Sequence, residues 1–103
     1  MADDAAEDDV AELAAAELAK AKQRLLTEPP HYVVANHVMG LFEFGALHLT
    51  ATPPNLPAAV LAIDAMACIV EGMPGRLGPD EETLRAALEQ IRLAFVQVKA
   101  SLG

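Results

Sequence analysis

The chain is poor in aromatic residues and in cysteine. Of its 103 residues only 4% are aromatic and none is tryptophan, although 53% are hydrophobic when alanine is included. A core made mainly of Ala, Leu and Val is typical of packed helices, because small and unbranched side chains lose little rotamer freedom there. The single cysteine, Cys68, excludes an intrachain disulfide. We predict that Cys68 is a buried structural thiol in a reducing cytoplasm.

Positive charge is scarce, and acidic charge is concentrated at the beginning of the chain. The formal net charge is −8, and residues 1–17 contain seven acids and no base. No Lys/Arg cluster is available to displace phosphate counterions, so we do not expect direct binding of nucleic acid. The acidic start also lacks the basic and then apolar pattern of an export signal, which favours a cytoplasmic protein.

The order of segments predicts an all-α fold. No segment alternates apolar and polar residues with the period of a strand, so we expect no β-strands. Residues 1–9 are predicted to be a disordered acidic lead-in and residues 10–28 an N-terminal helix. Prolines and glycines divide the remaining domain, residues 31–102, into helices over about 31–50, 55–71 and 79–102. The predicted architecture is a small helical bundle of three core helices and a looser N-terminal helix.

The second helix is apolar almost all the way round. Its length approaches that of a membrane span, but Asn36, Glu43 and two histidines lie within it, so we predict a buried core helix and no membrane association. Gly40 and Gly45 lower helix propensity, which suggests that another helix approaches closely at both positions.

The fourth helix has the most regular apolar pattern in the chain. Apolar residues alternate at spacings of four and three in a row consisting of Leu84, Leu88, Ile91, Phe95, Val98 and Leu102. A thin helical shell would have difficulty covering both this row and the second helix. We therefore predict a homodimer with helix two or helix four at its interface, and the candidate interface residues are Phe42, Phe44, Leu88 and Phe95.

The polar residues of the core helices offer only weak chemistry. His37, Glu43 and His48 are weak metal candidates, because their spacings of six and five differ from the i,i+3 or i,i+4 spacing of a helical zinc pair. We expect no catalytic residues and no cofactor. A carboxylate among apolar neighbours needs a partner, so Glu43 or Asp64 is predicted to pair with Arg92 and set the register of the helices.

Five segments carry a family resemblance. They are MGLFEFGALHL at 39–49, PPNL at 53–56, AID at 62–64, GRLGPDE at 75–81 and IRLAFVQVK at 91–99. Together they resemble the bacterial domain-of-unknown-function family numbered 1844, in its actinobacterial branch. The resemblance covers residues 32–100. Two positions depart from it: Gly78 stands where the family often has Thr, and Ile91 stands where it has Leu.

The resemblance implies a small cytosolic helical protein without assigned catalytic residues. In actinobacteria, genes of this family often neighbour those of a translation initiation factor and of large-subunit ribosomal proteins. Together with the acidic N-terminus, this favours a non-enzymatic protein-interaction module that serves as a translation accessory and meets a basic ribosomal protein. The alternative is a helical bundle protein that binds a metal or a small ligand.

Overall fold

A computed structural model describes residues 2–102, with side chains from residue 6 onward. The helices are α1 (Ala2–Thr27), α2 (Pro30–Thr50), α3 (Leu56–Gly72) and α4 (Glu81–Ser101), and a 3-10 turn at Gly78–Asp80 precedes α4. No strand occurs between residues 2 and 102, so the predicted all-α class is confirmed.

Helix α1 extends away from the other three helices. It begins at Ala2, so the disordered lead-in predicted for residues 1–9 is helical from residue 2 onward. Alanine has high helix propensity, and acids near a helix N-terminus favour its dipole, which explains the early start. Every described side chain of α1 is exposed except that of Ala21, which is half-buried. Accordingly, the radius of gyration is 19.7 Å, whereas a compact domain of this length has about 13 Å.

The core is formed where α2, α3 and α4 pack on one another. Helix α3 lies deepest and buries Ala59, Ala62, Ile63, Met66, Ala67 and Val70. Helix α2 buries only Ala35, Val38, Gly45 and Leu49 and keeps one side in solvent. Helix α2 is therefore a core helix, as predicted, but it is buried on one side only. The alanines of α3 explain the difference, because small side chains let both neighbouring helices approach its backbone.

The apolar row of α4 packs inside the protomer over its first half. Leu84, Leu88 and Ile91 are 1%, 2% and 3% exposed, whereas Leu102 at the end of the row is 56% exposed. Leu88 therefore has no surface to offer a partner, which corrects its prediction as an interface residue. Among the other candidates, Phe42 and Phe95 pack partly buried against the core.

The two glycines of α2 have different surroundings. A Cβ added at Gly45 would lie 3.0 Å from Ile91 Cδ1 and 3.5 Å from the Cβ of Ala62. The predicted close approach at Gly45 is confirmed. A Cβ added at Gly40 would meet nothing within 4 Å, so none of the described helices approaches there.

One carboxylate organises the connector between α3 and α4. Glu81 accepts hydrogen bonds from the backbone N–H groups of Gly75 at 3.0 Å and Leu77 at 3.1 Å, and Arg85 donates a third at 3.2 Å. The connector thereby holds the Leu77 side chain in the core, where it is 0% exposed. Gly75 and Gly78 adopt φ values of +75° and +76°, a region that favours glycine.

Replacing Glu81 with glutamine is expected to lower the Tm at pH 7 by weakening this connector. The Gly75 and Leu77 N–H groups, followed by Arg85, hold the pKa of the Glu81 carboxyl below its ordinary value of 4.5. A depressed pKa contributes stability above pH 4.5 that is lost as the pH falls through the folded-state pKa. The Tm difference between wild type and Glu81→Gln should therefore shrink below that pH in thermal unfolding followed by circular dichroism. Glu89→Gln, at an exposed position, is the control, and a difference that persists unchanged at low pH would contradict this role.

Candidate protein-interaction surfaces

The three weak metal candidates are not brought together. His37 Nδ1 lies 2.8 Å from the backbone oxygen of Val33. The His48 ring packs edge-on against Phe44 with centroids 4.6 Å apart, and Glu43 is exposed. Among the described residues, no group of three or more His, Cys, Asp or Glu side chains is placed to hold a metal ion.

Arg92 forms the ion pair between α3 and α4, but its partner differs from the prediction. Its Nη2 lies 2.9 Å from Glu71 Oε1 and its Nη1 lies 3.2 Å from Glu71 Oε2, a two-bond fork. The prediction that Glu43 or Asp64 pairs with Arg92 is wrong. Arg92 lowers the pKa of Glu71 through this hydrogen bond and its charge, whereas Asp64 adds only a minor electrostatic attraction to Arg92. Glu71 lies on the same side of α3 as Asp64, two turns further along.

Cys68 is exposed on α3 and is not the buried thiol that we predicted. It lies beside Asp64, Ala67 and Glu71 on an open surface. The apolar side of α3 is supplied instead by Ala67 and Val70, which are 8% and 0% exposed. The neighbours of Cys68 in sequence could not show this, because the whole segment from Ala65 to Val70 is apolar.

The solvent side of α2 carries a regular row of residues that we name the outer seam: Val33, His37, Gly40, Phe44 and Leu47. Three of the five, Val33, Phe44 and Leu47, are apolar. Its members alternate at spacings of four and three, the pattern of a helix that pairs with another helix. Phe44 and Leu47 are 48% and 68% exposed, and Val33 is half-buried. The sequence does not reveal this surface, because α2 is apolar on all sides and the local pattern does not show which side its neighbours leave open.

Polar residues border the outer seam on one edge only. Asn36 and Glu43 are exposed there, one helical step beyond the seam. On the opposite edge, Leu41 and His48 are half-buried. Exposed apolar side chains bordered by polar residues resemble the apolar centre and polar rim of a protein-protein contact.

Helix α1 presents a second surface, which is both acidic and apolar. Glu7, Asp8, Asp9 and Glu12 are all exposed. Its large apolar side chains are 59–79% exposed, namely Val10, Leu13, Leu18, Leu25 and Leu26. The only ion pair found within the described part of α1 joins Glu17 to Lys20 at 3.6 Å. Most of the acidic charge is therefore available to a partner.

Two grooves between α2 and α4 are small. One, of 240 Å³, is lined in part by Tyr32, Asn36 and Asp80. The other, of 180 Å³, is lined by apolar groups that include Phe42, Leu49 and Ile91. Sites for small molecules usually hold roughly 300–1,000 Å³ and enclose most of the ligand. Both grooves fall short of that size.

The described helices include none that is both long and apolar enough to cross a membrane. Comparison with known proteins assigns no family, since no family model, no curated protein and no solved structure matches this chain. The resemblance to the family numbered 1844 therefore stays a prediction. The function has to be inferred from the outer seam and from α1.

Proposed function

We propose that this protein is a small non-enzymatic interaction module of the cytoplasm. In this proposal, three core helices, α2 to α4, form a homodimer, and the looser N-terminal helix α1 binds a further protein. The observation that carries the proposal is the outer seam, where Phe44 and Leu47 remain 48% and 68% exposed on a helix whose other side lies in the core. Large apolar side chains that stay exposed beside one another on a packed helix support an interaction site.

The charge of α1 indicates the chemistry of the further partner. Residues 1–17 carry seven acids and no base, while the rest of the chain is close to neutral. A basic protein would be attracted to this helix from a distance, and the exposed Leu13 and Leu18 would add apolar contact after the encounter. The resemblance described above gives the proposal its specific form, in which the partner is a basic ribosomal protein and the module is an accessory to translation.

The alternative, binding of a metal or a small ligand, has less support. His37 already contacts a backbone oxygen at 2.8 Å, and His48 packs against Phe44. Glu43 is turned about 120° around the helix axis from His37. The groove beside Tyr32 and Asp80 contains polar groups, but it holds only 240 Å³.

Neutralising α1 is expected to weaken binding of the basic partner. The test variant carries Asp8→Asn, Asp9→Asn and Glu12→Gln. Lysate of source cells that contain wild type or variant is separated by gradient sedimentation at low and at high salt, and the fractions that contain the protein are identified. Wild type should co-migrate with a ribosomal subunit at low salt and leave it at high salt, because exposed charges are screened. The variant should remain in the light fractions at both salt concentrations.

A matched control removes three acids from the body through Asp64→Asn, Glu82→Gln and Glu89→Gln, which are all exposed. It should sediment like wild type. If the two variants sediment alike, α1 is not the contact. If wild type stays in the light fractions even at low salt, the ribosomal partner is rejected.

A further inference from the structure

We propose that the outer seam is occupied by α2 of a second copy, antiparallel to the first, with the two helices crossing at Gly40. This inference rests on the homodimer of the proposed function and specifies its geometry. A two-fold axis through Gly40 would make the interface isologous, so that the same surface of each copy is used.

Gly40 supplies the first argument. It is the middle residue of α2, which runs from Pro30 to Thr50, and it is exposed. Glycine destabilises a helix interior relative to alanine, and at Gly45 the close approach of Ile91 explains its presence. At Gly40 a Cβ would meet nothing within 4 Å, so the protomer provides no such explanation. A second helix whose backbone crosses at this position would require a residue without a side chain, which explains the glycine.

The ends of the outer seam fit the same two-fold axis. Val33 and Leu47 are each seven residues from Gly40, in opposite directions. In an antiparallel pair, Val33 of each copy therefore meets Leu47 of the other. The interface would cover the most exposed apolar side chain of α2, since Leu47 is 68% exposed in the protomer.

Both edges of the outer seam are complementary to themselves under this symmetry. A two-fold axis perpendicular to the helices places each edge beside the same edge of the second copy. On the polar edge, the Asn36 amide would lie level with the Glu43 carboxylate of the other copy, and an amide N–H can donate to a carboxylate. On the side of the outer seam towards His48, the His37 ring would lie level with Phe44 of the other copy, adding to the existing edge-on pair of Phe44 and His48. Each contact would occur twice.

Charge favours a second α2 over other occupants. Residues 30–50 contain one carboxylate, Glu43, and no lysine or arginine. Two such helices meet with little repulsion, whereas the acidic α1 of a second copy finds no lysine or arginine on α2 to pair with. A basic peptide would find only Glu43 there. The outer seam is thus suited to a neutral apolar helix.

Replacing Gly40 with leucine tests this crossing. The protomer has room for the side chain, and leucine raises helix propensity, so thermal unfolding of dilute protein should show an unchanged or higher Tm. In sedimentation equilibrium over a concentration series, the dimer dissociation constant should rise roughly tenfold or more, because the side chain separates the two backbones. Gly72→Leu is the matched control, since a Cβ at Gly72 also meets nothing within 4 Å, and it should leave the dimer intact.

Cross-linking reports the geometry directly. In a Cys68→Ser background, Val33→Cys and Leu47→Cys on the same chain place each thiol opposite the other thiol of the second copy, and an added copper–phenanthroline oxidant should join them as two disulfides per dimer. Gly72→Cys in the same background should remain uncross-linked under the same conditions.

The outcomes separate this inference from the proposed function. A dimer that Gly40→Leu leaves unchanged, or a Val33→Cys, Leu47→Cys variant that dimerises but does not cross-link, would overturn the α2 pairing while the homodimer stands. Dissociation by Leu18→Glu and Leu25→Glu, but not by Gly40→Leu, would assign the interface to α1 and also overturn it. A wild type that is monomeric at every concentration would reject the homodimer itself, while the sedimentation test of α1 would still decide the basic partner.

Discussion

Replacing Leu77 with alanine is expected to lower the free energy of unfolding by about 2–5 kcal/mol. Leu77 lies in a connector, but it is 0% exposed and belongs to the core cluster with Leu84 and Leu88. Truncation would leave a cavity between the connector and α4, because the backbone at Leu77 is held by Glu81 and cannot collapse inward. Urea unfolding should show a lower midpoint at an unchanged m-value.

The control for Leu77 is Leu61→Ala on the solvent side of α3. Leu61 is 71% exposed, and truncation of such a side chain changes stability by no more than about 0.5 kcal/mol. Similar losses in the two variants would mean that the connector does not contribute to the core as described.

Replacing Gly78 with alanine is expected to destabilise the protein by about 1–3 kcal/mol. Gly78 has a φ of +76°, and a Cβ there would overlap the ring of His31 at the start of α2. Gly75→Ala is the matched control, because Gly75 has a φ of +75° with nothing within 4 Å of its Cβ position. It isolates the backbone effect, which is about 1–2 kcal/mol.

A double-mutant cycle separates the contact with His31 from the backbone effect. In a His31→Ala background, Gly78→Ala should cost no more than Gly75→Ala, measured by urea unfolding. Equal losses for the two glycine variants in the wild-type background would show that the His31 ring moves aside without penalty.

Local signals predicted the helices well. The side chain of Asn55 accepts a hydrogen bond from the Ala58 N–H at 3.1 Å, as expected of an N-cap. Helices α2 and α3 end within a residue of the predicted positions. The first half of the apolar row of α4 is buried, because alternating spacings of four and three keep one side of a helix facing its neighbours.

Relations between helices were predicted less well. Asp64 and Glu71 lie on the same side of α3, so the sequence identified the side that faces Arg92 but not the turn that is level with it. The apolar pattern of α2 also could not predict the surroundings of Gly40, because it does not show which side of the helix is covered by the same chain. These properties depend on how far one helix is displaced along another, which no local pattern records.

Only two residues, Glu28 and Pro29, join α1 to α2, so the direction of α1 depends on their torsion angles. A helix of 26 residues is about 39 Å long. A change of about 10° in direction at this joint would move the far end of α1 by roughly 7 Å. The position of the acidic end is therefore set by the torsion angles of two residues and not by packing on the core. Pro29 has φ −57° and ψ 131° and is followed by Pro30, and a proline before a proline is held near these values. A partner bound at the acidic end of α1 would therefore be held in a defined direction from α2 and α4.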